Sequence, residues 1–221
     1  MTHASNLPDF AAARQAMVAS QLRTSAVTDS GVLAAMATVP RERFVADGQA
    51  AVAYIDRALP LNAAGRALNP PLATARLLDA ARPRHGERAL VIGAATGYAA
   101  AVLAEIGLAV TALESDAALA AQARDTLSHA AVGVDEGALA AGHAGGGPYD
   151  LIVIDGAVEA VPQALVDQLV DGGRLATGLV ERGVTRLAVG TKSGTAFGLV
   201  PFVDYEAVHL PGFAPAPAFS F

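Results

Sequence analysis

The chain has 221 residues, 53% of them hydrophobic, and a formal net charge of −6. That is enough to bury one core, or one core with an appended subdomain, and the negative balance argues against non-specific nucleic-acid binding because no positive field draws phosphates. The absence of cysteine excludes disulfides, thiolate catalysis and Cys-ligated metals, and it fits a reducing compartment.

From the amino terminus, Phe10, Ala13, Met17 and Leu22 recur at helical spacing within Pro8–Leu22. No apolar signal core precedes them, and the reading is of a cytoplasmic protein. Thr28-Asp29-Ser30 supplies N-cap oxygens for a second helix, Gly31–Thr38, which stops before Pro40. Pro40–Val45 reads as an ordered connector, and Tyr54–Pro71 as irregular chain punctuated by Pro60, Gly65, Pro70 and Pro71. A third helix is predicted over Thr74–Ala81.

From about His85 the pattern alternates. Strands are predicted at Arg88–Ile92, Ala109–Leu113, Val132–Val134, Tyr149–Ile154 and Gly173–Gly178. Helices are predicted at Tyr98–Ile106, Ala117–His129 and Pro162–Val170, the last ended by Asp171-Gly172-Gly173. Such alternation implies an α/β fold, a doubly wound parallel sheet with helices on both faces. Arg186–Thr191, Phe197–Phe202 and Tyr205–Leu210 are strand-like without intervening helices, as an antiparallel edge requires. Ala89–Leu113 carries one charge, Glu105, and is long enough to span a bilayer. Gly93, Thr96 and Gly97 interrupt it, so strand–turn–helix–strand is preferred and no membrane partner is expected.

Within that unit, Arg88-Ala-Leu-Val-Ile-Gly93-Ala94-Ala95-Thr-Gly97-Tyr98 is followed by Glu114 at the end of the second strand. A glycine turn after a first strand and an acid after the second form a nucleotide-binding layout, with the carboxylate placed for ribose hydroxyls. The spacing is Gly-x-x-x-Gly rather than Gly-x-Gly-x-x-Gly, and no Gly-Lys-Ser/Thr follows, which excludes a P-loop. S-adenosylmethionine is the remaining candidate, since it has no pyrophosphate to cradle. Histidines 3, 85, 129, 143 and 209 show no metal spacing, and no metal is expected. The Gly142–Gly147 run reads as a flexible loop.

The wider sequence resembles the protein-L-isoaspartate O-methyltransferases. The resemblance runs through Gln15–Arg23, Val32–Met36, Val39–Val45 and Tyr54–Leu61 to Gly65 and Pro70. It continues through the βαβ unit, Tyr149–Asp155, Val161–Leu165 and Gly172–Leu175, covering roughly residues 10 to 192. It implies a Rossmann-like, seven-stranded, mostly parallel sheet with an antiparallel edge, a helical subdomain over 1–84, a cofactor domain over 85–213 and a tail over 214–221. It also implies S-adenosylmethionine as cofactor and isoaspartyl peptides or proteins as partners. Methylation of the isoaspartyl carboxylate, the first step of repair, is the implied activity.

The resemblance also assigns residues. Gly93, Ala94, Ala95, Gly97, Glu114, Ser115, Asp135 and Asp155 would hold the cofactor; Arg66 and Asn69 would meet the substrate carboxylate. The chain departs from the family near the third strand, where Gly-Asp-Gly becomes Gly133-Val-Asp135-Glu136-Gly137, and at the carboxyl end around His209-Leu210-Pro211, and most sharply at two further places. Where the family carries Gly-Gln-Thr-Ile-Ser-Gln-Pro, this chain reads Gly65-Arg66-Ala67-Leu68-Asn69-Pro70-Pro71, so both hydroxyls are replaced. In the cofactor turn, Val91 stands for a Glu and Ala95 for a Gly. Those departures leave two alternatives: a non-catalytic relative binding an adenosine ligand or a protein, and a methyltransferase with another acceptor.

Overall fold

The computed structural model describes residues 9–213. Its first helix, α1 (Phe10–Met17), is capped by the Asp9 carboxylate on the Ala12 N–H, and passes into a π turn (Val18–Leu22) and a 3-10 turn (Arg23–Ser25). Helix α2 (Ser30–Thr38) has Asp29 as its cap, accepting from the Val32 N–H. The irregular segment that follows contains a minimal antiparallel ladder, β1 (Leu59–Pro60) with β2 (Ala67–Leu68). Helix α3 runs Pro71–Ala81, three residues earlier than expected, because Pro71 serves as the first helical residue and needs no N–H partner there.

The rest alternates as β3 (Arg88–Ile92), α4 (Tyr98–Ile106), β4 (Ala109–Glu114), α5 (Ala117–Thr126), β5 (Val132–Glu136), β6 (Tyr149–Val158), α6 (Gln163–Asp167), β7 (Leu169–Glu181), β8 (Val184–Thr191) and β9 (Leu199–Asp204). The seven long strands lie in the order β5-β4-β3-β6-β7-β8-β9. The first five pair in parallel, and β8 and β9 close the edge antiparallel. This is the doubly wound, Rossmann-like sheet with an antiparallel edge.

Three expectations need correction. The sixth helix stops at Asp167 instead of Val170, and Gly172 lies inside β7 rather than at a helix end. Leu169 and Val170 belong to the sheet, where Tyr149 pairs with Leu169. Helix α5 ends at Thr126, short of His129. Tyr205–Leu210 is not a strand: apart from one bridge between His209 and Ala157 it is extended chain laid across the end of β6.

The amino-terminal helices cover one face of the sheet. Met17, Leu22, Val32, Met36, Leu77 and Leu78 share a buried cluster with Val91, Ala99, Leu103 and Val153. Leu90, Ile92, Ile152, Ile154, Leu165 and Leu175 fill the opposite face. Two neighbouring strands of the sheet, β3 and β6, separated in sequence by β4 and β5, mark the point where the winding reverses. Ligands of open α/β sheets bind outside the carboxyl ends of such a strand pair. Here those ends are Gly93 and the Asp155-Gly156 step.

Candidate functional site

The turn after β3 is left-handed at three residues: Gly93 (φ 73°), Ala95 (φ 52°) and Gly97 (φ 101°). Glycine takes this conformation without steric cost, whereas Ala95 places a methyl group against it. The turn is closed by hydrogen bonds within the protein. Gly93 and Ala94 N–H both donate to the Leu113 carbonyl, at 2.9 and 3.1 Å, and Gly97 N–H donates to Ala94. The N–H groups of Gly93, Ala94 and Gly97 are therefore engaged within the turn itself. The Thr96 hydroxyl donates to the Phe44 carbonyl, which ties the turn to the amino-terminal connector.

Glu114, at the end of β4, is fully buried. One carboxylate oxygen accepts from the Ser115 and Asp116 N–H groups at 2.8 and 3.0 Å, and the other from the Ala95 N–H at 2.8 Å. That second oxygen also takes Arg66 Nη2 at 2.6 Å, in an ion pair with both side chains almost wholly buried. Arg66 is placed there by its loop. The Asn62 side-chain oxygen accepts from the Ala64 and Arg66 N–H groups, and its nitrogen donates to Asp116 at 2.9 Å. Arg66 Nε and Nη1 are buried without a hydrogen-bond partner among the described residues.

Across the crevice, β6 slips register against β7 between Val153 and Ala157. Such an irregularity re-aims side chains, and Asp155 turns inward. Its carboxylate accepts from Asn69 Nδ2 at 2.9 Å and the Thr74 hydroxyl at 3.4 Å. Burial pushes the Asp155 carboxyl above the ordinary carboxylate range, against the opposing pull of Asn69, Arg41 and Thr74. The Asn69 oxygen accepts from the Val208 N–H at 2.7 Å. Val208 O and Leu210 N then bracket Ala157, and the Leu210 side chain lies directly over Gly93 and Gly156.

A family model described as Protein-L-isoaspartate(D-aspartate) O-methyltransferase matches residues 12–198. The chain belongs to this isoaspartyl methyltransferase family. The Protein-L-isoaspartate O-methyltransferase of Methylorubrum extorquens is 42% identical over 178 residues, 79% of this chain and 77% of that one. Protein-L-isoaspartate O-methyltransferase 1 of Rhodopseudomonas palustris is 43% identical over 169 residues, 75% and 69% of the two chains. Among solved structures, one titled protein-L-isoaspartate O-methyltransferase superposes with a TM-score of 0.81 at 22% identity, over 90% of this chain and 66% of that chain. A putative protein-L-isoaspartate O-methyltransferase from Plasmodium falciparum, in complex with S-adenosyl-L-homocysteine, gives 0.75 at 18% identity, over 89% and 98%. These structural likenesses bear on the fold.

In this family member the expected residues fall into two groups. Gly93, Ala94, Ala95, Glu114, Ser115 and Arg66 meet at the β3–β4 end of the crevice, with Gly97 closing the turn; Asn69 and Asp155 meet on the β6 side. Asp135 stands apart, its carboxylate 3.1 Å from His143 Nδ1 at the end of β5. Parallel register puts Glu136, not Asp135, level with Glu114. Val91, standing where the family has Glu, is a fully buried core residue of β3.

The residues fit an adenosine-containing cofactor with an amino-acid end. Glu114 is the acid at the end of β4 whose outer oxygen ribose hydroxyls could use in place of Arg66, and Arg66 carries two donor nitrogens without a partner among the described residues, for which a carboxylate is a well-matched acceptor. Three contributors were missed by sequence reasoning. Arg41 is fully buried, donating to the Ala53 and Asn69 carbonyls with its guanidinium 4.7 Å from the centre of the Tyr98 ring. Burial lowers its pKa from the ordinary arginine value. Its position between Pro40 and Glu42 gives no burial signal. Asn62 sits in an irregular loop without periodicity, and Leu210 lies in a segment that reads as strand.

Proposed function

We infer that the chain transfers the methyl group of S-adenosylmethionine to the carboxylate of L-isoaspartyl residues in damaged proteins, a repair reaction. The carrying observation is the family match across residues 12–198, a span that includes the acid-bearing crevice at Gly93 and Glu114. S-adenosylmethionine, when bound, supplies an electrophilic methyl group. Glu114 would hold its ribose, with Gly93, Ala94, Ala95, Gly97 and Ser115 shaping that end and Asp135 and Asp155 completing the set.

The resemblance assigns Arg66 and Asn69 to the acceptor carboxylate; because the Asn69 amide already donates to Asp155 and accepts from Val208, this reading leans on Arg66, with Asn69 fixing the segment beside it. That nucleophile is already ionised at neutral pH, so the chain needs no strong base. Its residues have to position the carboxylate and keep water out. A cavity of about 850 Å³ lined by Asp56, Pro70, Tyr205, Glu206, Val208 and His209 opens beside Pro70, the neighbour of Asn69. Its size and place support docking of a peptide there. Among the described residues no helix is long and apolar enough to cross a membrane. A cytoplasmic location and isoaspartyl-containing peptides or proteins as partners belong to the same proposal.

The test is a matched peptide pair, one with an isoaspartyl and one with an ordinary aspartyl residue, incubated with enzyme and S-adenosylmethionine. A methyl ester on the isoaspartyl peptide alone is expected. Equal labelling of both peptides, or of neither, contradicts the assignment.

A further inference from the structure

Arg66 stands where the family has Gln, and the chain has put its guanidinium on the carboxylate that the cofactor's ribose would use. Hydroxyl donors and a guanidinium cannot both take the outer oxygen of Glu114 while the Ala95 N–H also donates to it. The inner oxygen is no alternative, because the Ser115 and Asp116 N–H groups hold it. Arg66 is also incompletely satisfied. Among the described residues two of its donor nitrogens are buried without partners, and the other side-chain hydrogen bond it makes is to the Gly93 carbonyl at 3.5 Å.

We propose that Arg66 is a positioning residue with two stations: it neutralises Glu114, and when ribose hydroxyls take Glu114 it is released to receive a carboxylate. The exchange leaves every group better matched. Glu114 keeps its three backbone donors and gains hydroxyls, and the guanidinium trades one contact and two orphaned donors for a charged acceptor. This inference rests on the methyltransferase reading for the source of the carboxylate. Two sources are chemically alike: the cofactor's own amino-acid end and the isoaspartyl acceptor.

The experiment is a calorimetric titration of the full chain and of Arg66→Gln with 5′-methylthioadenosine, which keeps the ribose but lacks the amino-acid end, and with S-adenosylhomocysteine. Removing the competing guanidinium is expected to tighten 5′-methylthioadenosine on the order of tenfold, a normal size for a coupling between sites. Equal tightening for S-adenosylhomocysteine assigns the released guanidinium to the acceptor carboxylate. Less tightening, or weakening, assigns it to the cofactor's own. Unchanged or weaker 5′-methylthioadenosine binding in Arg66→Gln overturns the proposal, as does absence of binding to both proteins.

Arg66→Gln leaves Glu114 buried without its counter-ion and its folding is at risk. A crystal structure of the unaltered chain with 5′-methylthioadenosine provides the second readout. Arg66 off Glu114, with ribose hydroxyls on that oxygen, is expected; an intact Arg66–Glu114 pair beside bound ligand overturns the proposal. Neither readout needs methyl transfer, so a failed peptide assay would sink the repair reading while leaving the exchange at Glu114 standing.

Discussion

Asn69 Nδ2 lies 2.8 Å from the main-chain carbonyl of Asp155 and 2.9 Å from its carboxylate, so one amide holds both polar groups of the residue that ends β6. Its oxygen simultaneously takes the Val208 N–H. The residue that replaces a family hydroxyl is thus a clamp between the β2 segment, the sheet and the carboxyl-terminal strap. Replacing Asn69 with Ala removes a donor from the buried Asp155 carboxylate and carbonyl and the acceptor of the part-buried Val208 N–H, each costing about 1–3 kcal/mol. We expect a loss of roughly 2–4 kcal/mol in denaturant unfolding. A loss under about 0.5 kcal/mol, the range of ordinary surface changes, would mean the clamp is dispensable.

Asp155 makes a pH-dependent prediction. Its folded pKa is raised, so the folded chain binds the proton more tightly than the unfolded chain does. The stability this group contributes is present below the unfolded value, about pH 4, and is lost as pH rises through the folded value. Asp155→Asn keeps the oxygen that accepts from Asn69 and removes the ionisation. The variant should be more stable than the parent at pH 7, with the difference shrinking toward pH 4. Urea unfolding of both proteins across that range checks it, and a difference that grows on acidification contradicts it.

Ala95 adopts φ 52° in the turn beneath Glu114. An L-residue with a Cβ is strained there by about 1 kcal/mol. Ala95→Gly should relieve part of that strain and raise the melting temperature by roughly 2–4 °C per kcal/mol for a chain of this size. An unchanged or lower melting temperature would mean that packing of the methyl group outweighs the strain.

Gly156 supports the strap. A Cβ there would lie 2.6 Å from the Val208 carbonyl and 2.6 Å from Leu210 Cγ. A side chain can swing away, but the carbonyl is held by its hydrogen bond to Ala157. Gly156→Ala should therefore cost about 1–3 kcal/mol, in the range for overpacking. It should also speed amide exchange in residues 208–213 ahead of the rest. Uniform exchange would show that the strap does not lean on this glycine.

The sheet was legible because its strands are apolar runs separated by clear punctuation. Arg88–Ile92 and Tyr98–Ile106 were read to the residue, since Gly93, Gly97 and Gly107 bound them. The α6–β7 junction was not, because Leu169 and Val170 serve equally well as the last turn of a helix or the first residues of a buried strand. At the site, Glu114 was visible as an acid ending a strand. Its partner Arg66 was visible as a residue, but their pairing depends on how the Asn62 loop folds back, a long-range contact that spacing does not encode. The inward turn of Asp155 depends on a register slip between β6 and β7, which is equally silent in the sequence.

The most direct test of the account is S-adenosylhomocysteine binding to Arg66→Gln and to the double variant Glu114→Gln/Arg66→Gln, two proteins that both lack the competing guanidinium and differ only in the acid. The account places the ribose on Glu114, a hydrogen bond to a charged group and therefore worth roughly 10- to 150-fold in affinity. The predicted result is clear binding to Arg66→Gln and a loss of that order in the double variant, with folding of both verified by their melting curves. Equal affinity of the two proteins would contradict the account, because the ligand would then be held somewhere other than the crevice between β3 and β6.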